Sequence, residues 1–187
     1  DLSNTVKLNK ADIGFATDPD ADRLAIIDNQ GKPIGEESTL LLALESYLKY
    51  YQDSQKIVTN LSTTMAVDII AHKYNSTVDR SSVGEINVVE KMKEIDSIIG
   101  GEGNGGVILK ESHLGRDSLV ASVLVLNNLA QSNLSLNNIM KHIPHFVMIK
   151  DKTTIKDDID FNQIKTLFHD GNITFIKDDG LKILWKD

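Results

Sequence analysis

The feature that most constrains this chain is an alternation of period. Between residues 37 and 142, short apolar runs of strand length alternate with segments of 10–15 residues whose apolar positions recur at three and four. From Glu36 to Gln52, Leu40, Leu41, Leu44, Tyr47, Leu48 and Tyr51 mark one helical face. A strand follows at Lys56–Asn60, a helix from about Ser62 to Tyr74 with Met65, Ile69, Ile70 and His72, and a strand near Thr77–Arg80. Gly84 opens a further helix with Ile86, Val89, Met92 and Lys93, which leads to strands at Ser97–Gly100 and Gly105–Lys110 and a helix at Leu119–Leu129. Strands joined by helical crossovers predict an α/β domain with a central, mainly parallel or mixed sheet and helices on both faces. Partial domains are expected to flank it.

Upstream, 11–16 and 24–28 read as two short strands. The loop between them, Thr17-Asp18-Pro19-Asp20-Ala21-Asp22-Arg23, contains a proline that lacks a ladder donor and disfavours helix at Asp18. Residues 29–33 then form a turn. Downstream of Ile143-Pro144, a strand at His145–Lys150, a charged stretch at Asp151–Asp160, a helix at Phe161–Asp170 and strands at Ile173–Ile176 and Leu181–Trp185 suggest an α+β unit. With so few apolar positions it is marginal as an independent domain.

Composition narrows the function classes. In 187 residues, 27 acidic side chains outnumber 20 basic ones, for a net charge of −7. That balance argues against a surface that neutralises nucleic-acid phosphates. The absence of cysteine removes disulfides and thiolate chemistry and fits a reducing compartment, so a cytoplasmic location is expected. No apolar run approaches the roughly 20 residues that span a bilayer, so no membrane partner is expected. The five histidines form no ligand-spaced pair, which disfavours zinc. The chain begins at Asp1 with no initiator Met and no leader pattern, so a fragment of a longer polypeptide is expected.

Two loops could carry chemistry. In Asp18-x-Asp20-x-Asp22-Arg23, alternate carboxylates on an irregular backbone can converge on a hard divalent cation such as Mg²⁺. A solvated acidic turn is equally open. A calcium EF-hand fails, because the sixth and twelfth positions hold Arg23 and Asn29 rather than Gly and Glu. Arg23 could grip a phosphate beside the metal or pair with a neighbouring carboxylate. The second loop, Gly100–Gly106, has five glycines in seven residues and therefore meets a ligand or another domain, or is a flexible turn. Its spacing is not a dinucleotide fingerprint. Glu102 and Asn104 could share one space and bind vicinal hydroxyls, or be solvated.

Three features are weaker. Asn60–Thr64 offers helix-cap hydroxyls. Arg80–Glu85 sits between a strand and a helix, where open α/β sheets bind ligands or where a cap is needed; Gly84 and Glu85 are its candidates. In His113–Asp117, Arg116 pairs with Asp117 or a nearby loop, and a structural role is favoured.

In their order these motifs resemble those of the phosphohexomutase superfamily, the phosphoglucomutase, phosphomannomutase and phosphoglucosamine mutase enzymes. Asp18–Arg23 is similar to the family's metal loop and Glu102–Gly106 to its sugar-binding loop, with Asn104 and Gly106 where many relatives carry Ser and His, and Glu85 where some carry His. The resemblance implies that residues 1–36 end a second domain, 37–142 form the third and 143–187 begin a fourth. It implies Mg²⁺ on Asp18, Asp20 and Asp22, Arg23 orienting a phosphoryl group, and Glu102, Asn104, Gly84 and Glu85 at the sugar. The family's phosphoserine and its phosphate-binding loop are expected outside this chain, in missing domains of the same polypeptide, leaving the fragment inactive. A non-catalytic metal- or sugar-phosphate-binding module is the alternative; a phosphatase with a nucleophilic aspartate fits the third carboxylate and Arg23 poorly.

Overall fold

In a computed structural model, residues 1–51, 53–149, 151, 153–154, 159–168 and 171–185 are described. The chain divides into two compact units, Asp1–Phe146 and Val147–Asp187.

The first unit starts with a helix, α1 (Leu2–Asn9), that the sequence pattern does not announce. Its Ser, Asn and Thr residues are weak helix formers, and Val6 is its one buried anchor. The Asp1 side chain caps it by accepting from Asn4 N at 3.0 Å. An antiparallel hairpin follows, β1 (Ile13–Thr17) and β2 (Leu24–Asp28), paired from Ile13 with Asp28 to Thr17 with Leu24. The Asp18–Arg23 loop is the tip of this hairpin.

Next come α2 (Glu36–Tyr50), β3 (Lys56–Asn60), α3 (Ala66–Lys73), β4 (Thr77–Ser81), α4 (Glu85–Ile95), β5 (Ile99–Glu102), β6 (Gly106–Leu109), β7 (His113–Arg116), α5 (Ser118–Ser132) and α6 (Leu136–Met140). The sheet order is β4-β3-β5-β6-β7. β4, β3 and β5 run parallel, whereas β6 and β7 return antiparallel through tight turns, so the sheet is mixed.

Helices cover both faces, and the side-chain alternation of the strands decides which residue meets which layer. Ile57, Ile99 and Val107 join α2, α3 and α5 in the larger core. Their chain neighbours Val58 and Ile108 face the other way, onto Val88, Val89 and Met92 of α4. Gly100 lets that second layer close up, since a Cβ there would lie 2.6 Å from the Val58 carbonyl and 2.8 Å from the Met92 sulfur.

Several sequence expectations change in detail. α2 has more than one apolar face: Ser38 to Leu44 and Ser46 to Leu48 are all buried, because the helix lies between β1-β2, the sheet and its neighbours α3 and α5. Met65 and Ile69 of the expected α3 face, and Ile86 of α4, are exposed; Ile70 is buried as expected, and Val67 and Val88 take the other core positions. Residues 62–64 are a loop rather than the start of α3, held by the Asn60 side chain. Strand β7 has one apolar residue, Leu114, and helix α6 is too short to show periodicity.

In the second unit, α7 (Phe161–Thr166) is capped by Asp160, which accepts from Asn162 N at 2.8 Å. β8 (Ile173–Ile176) and β9 (Lys182–Trp185) form an antiparallel hairpin. Residues 145–149 form no strand, contrary to the expectation for His145–Lys150, and Lys150 lies outside the described residues, as does the end of the expected helix at Asp170. Among the described residues no helix is long and apolar enough to cross a membrane.

Leu42 is completely buried in α2. Leu42→Ala is expected to cost about 2–5 kcal/mol through lost transfer energy and the cavity it leaves, measured by urea denaturation followed by circular dichroism.

Candidate active site

The hairpin tip is pressed against the sheet. Leu24 N donates to Gly105 O at 3.1 Å, Arg23 and Gly106 form an isolated antiparallel bridge, and Ala21 O accepts from Ser118 N and Oγ at 3.3 and 2.7 Å. The acidic loop and the glycine-rich loop are thus joined backbone to backbone. Gly105 makes this contact with φ +93°, and a Cβ there would lie 2.8 Å from Leu24 O.

Within the tip, Asp18, Asp20 and Asp22 each place a carboxylate oxygen within 4.8 Å of the others. Arginines compensate two of them. Arg23 Nε donates to Asp18 Oδ2 at 2.6 Å and its backbone N to Asp18 Oδ1 at 3.2 Å. Arg116 forms an ion pair with Asp22 through Nη2 and Oδ2. Burial pushes the Asp18 carboxyl up, but the Arg23 side-chain and backbone hydrogen bonds outweigh it and hold it down at about 2. For Asp22, burial is the largest influence and the net direction is upward, with Asp18 and Asp20 adding repulsion that Arg116 only partly offsets.

The site fits a hard divalent cation on two grounds. All three donors are carboxylates, and Asp22 Oδ1 is buried without a hydrogen-bond donor, 3.4 Å from Arg23 Nε. An oxygen that has left water without gaining a donor suits a metal ligand.

Glu102 ends β5, and its side chain is only 3% exposed. Its Oε1 accepts from Asn60 Nδ2 at 2.6 Å and Gly84 N at 3.3 Å, while Oε2 accepts from Arg116 Nη1 at 2.7 Å and Asn104 Nδ2 at 3.4 Å. Asn104 Oδ1 in turn accepts from Gly106 N at 3.1 Å. Glu85, at the first turn of α4, accepts from Arg116 N at 2.7 Å and lies 3.5 Å from its Nε. A cavity of about 250 Å³ beside the hairpin tip is lined by Thr17, Asp18, Arg23, Glu36 and Asn104. Glu102 does not line it. The two loop residues meet through the Asn104 amide and Glu102 Oε2, and of the two Asn104 borders this cavity.

Comparison with known proteins gives this geometry a family. Residues 35–146 match the family described as phosphoglucomutase/phosphomannomutase, alpha/beta/alpha domain III, and residues 1–31 match its domain II. The chain belongs to the phosphoglucomutase/phosphomannomutase family. Among relatives of this family member, the phosphoglucosamine/phosphogalactosamine mutase of Sulfurisphaera tokodaii is 30% identical over 192 residues, covering 100% of the chain and 42% of the relative. The phosphoglucomutase/phosphomannomutase of Thermococcus kodakarensis is 32% identical over 153 residues, covering 82% and 33%. The chain thus spans about two fifths of the length of the first of these relatives and a third of the second. The fold agrees with that of a phosphoglucomutase/phosphomannomutase family protein from Burkholderia thailandensis, with a TM-score of 0.78, 24% identity and coverage of 98% of this chain and 40% of that one.

In this family member, sequence reasoning underrated two residues. Of the two partners expected for Arg116 the nearby loop is the one found, through Asp22, and Glu102 and Glu85 add two that were not expected, while the Asp117 side chain caps α5 by accepting from Leu119 N and Val120 N. Asn60 collects Ser62 N, Ser62 Oγ and Thr63 Oγ1 on its carbonyl and gives its amide to Glu102. Gly106 was the available signal for Arg116, because a Cβ there would collide with Arg116 Cδ. Arg80, in the strand-to-helix segment, is structural: it donates to the Asn60, Thr63 and Thr64 carbonyls and to Asp68.

Asp18 has a folded value below its ordinary 3.8, so its pairing stabilises the fold above about pH 4 and is lost as pH falls toward 2. In an NMR titration of side-chain carboxyls, Asp18 is expected to have a midpoint near 2. Arg23→Met is expected to raise that midpoint and flatten the acid loss of stability over this window.

Proposed function

We propose that the protein carrying this chain interconverts hexose 1-phosphates and 6-phosphates, with a phosphoserine donor and a bisphosphorylated sugar intermediate. The reading is supported chiefly by the direct joining of the Asp18–Arg23 loop to the Gly101–Gly106 loop, which sets three carboxylates and Arg23 beside a cavity edged by Asn104. Glucosamine, mannose and glucose are the candidate sugars, and the names of the relatives put amino-hexose phosphates first.

Asp18, Asp20 and Asp22 would hold Mg²⁺, which when bound neutralises oxygens of the transferring phosphoryl group. Arg23, restrained by Asp18, lines the cavity and orients that group. Asn104 binds a sugar hydroxyl. Its 3.4 Å contact to Glu102 is the longest of that carboxylate's hydrogen bonds and is the one a hydroxyl replaces. Glu102 anchors the loop through Asn60, Gly84 N and Arg116, and Glu85 supports Arg116 from α4.

On this reading residues 1–36 close a second domain, 37–142 form the third and 143–187 open a fourth, and the serine nucleophile and the phosphate-binding loop lie in other domains of the same polypeptide. The 187-residue chain alone is then expected to show no turnover, and measurable turnover would place the nucleophile within it.

The test is a coupled mutase assay on the full-length protein with glucosamine, mannose and glucose phosphates, a hexose bisphosphate activator and Mg²⁺. Interconversion of at least one pair is expected, and its absence for all three overturns the reading. Asp20→Asn is expected to reduce turnover by more than the roughly 10–100-fold typical of losing an outer partner of a metal ligand.

A further inference from the structure

We infer that Arg116 is a positioning residue that couples the acidic loop to the glycine-rich loop, so that a cation bound by Asp18, Asp20 and Asp22 alters the setting of Glu102 and Asn104. Arg116 lies at the end of β7, and its side chain is 17% exposed. One guanidinium meets three carboxylates from three elements: Asp22 at the hairpin tip, Glu102 of β5 and Glu85 of α4. Its backbone N–H also binds Glu85, which fixes where the side chain begins.

The space for this side chain is made by an absence. Gly106 packs directly against the aliphatic part of Arg116: an added Cβ would collide with Cδ and come within 2.9 Å of Cγ. Gly106 has no positive φ, so its backbone would accept alanine. Glycine is required there by the passage of Arg116, not by the turn.

The shared guanidinium makes the coupling physical. A divalent cation at the hairpin tip draws on the charge of Asp22 and weakens its attraction for Arg116, leaving Glu102 and Glu85 as the arginine's stronger partners. Glu102 Oε2 is shared between Arg116 and the Asn104 amide, so a shift of Arg116 toward Glu102 is felt at Asn104, which edges the cavity. Lysine cannot reproduce this, because a single ammonium on a flexible stem does not fork among three carboxylates.

The inference rests on the cation reading of the acidic loop given above, and one experiment separates the two. Mg²⁺ is titrated into the ¹⁵N-labelled 187-residue chain as wild type, Arg116→Lys and Gly106→Ala, with the α2 and α5 amides as internal reports of an intact fold. In the wild type, the amides of Asp18 and Asp20 through Leu24 are expected to shift together with those of Gly103 to Gly106. In both variants the second response is expected to vanish while the hairpin-tip response remains. A wild-type response confined to the hairpin tip overturns the coupling and leaves the cation reading standing. Persistence of the glycine-loop response in a folded variant also overturns the coupling. No response of either loop at millimolar Mg²⁺ overturns both readings.

Discussion

A carboxylate removed from water must recover its hydrogen bonds from the protein, and the site is arranged around one that does. Glu102 gains an amide from β3 through Asn60, a backbone N–H from Gly84, a guanidinium from the end of β7 and a side-chain amide from its own loop. Asn104 belongs to the same loop, but Asn60, Gly84 and Arg116 come from other segments, and they meet Glu102 only when the sheet is assembled with β5 between β3 and β6. The charge itself is balanced by Arg116, which also serves Asp22 and Glu85. The acidic hairpin is therefore docked to the sheet by the same guanidinium that neutralises its buried glutamate.

The mixed sheet provides the frame for this arrangement. Parallel strands β4, β3 and β5 carry their loops to one edge, where Asn60, Ser81 and Glu102 end their respective strands. The antiparallel return through β6 and β7 then brings Arg116 back beside that edge, with the irregular register at Ile108 and Leu109 adjusting its approach. Glycine is needed at two crossings for different reasons. Gly105 takes a positive φ against the Leu24 backbone, whereas Gly106 clears the path of a side chain. Helix packing on both faces keeps the frame stiff, and a stiff frame suits loops that must hold several like charges close together.

Much of the fold was legible because strands and helices of this unit have clear periods. The runs at 56–60 and 106–109 and the helices at 36–50 and 85–95 follow directly from apolar spacing. What periodicity missed was short or polar: α1 with a single buried anchor, β7 with Leu114 as its one apolar residue, α6 with five residues. It also misassigned faces. Ile86 looks like a core residue by spacing and is 63% exposed, because burial depends on which neighbours arrive, and α4 has only one layer to cover.

The candidate site divides along the same line. The sequence offered the convergence of Asp18, Asp20 and Asp22 as one of two readings, since carboxylates at alternate positions of a proline-containing loop are a local arrangement. The glycine-rich loop was equally visible as a place of close approach. Sequence also carried the order of the two loops, and with it the family. It could not say that Glu102 would be buried while Asn104 borders the cavity, nor which carboxylates beyond Asp117 Arg116 would take. Those outcomes depend on desolvation and on charge pairing between segments far apart in the chain, and such energies exist only once the sheet has brought the segments together.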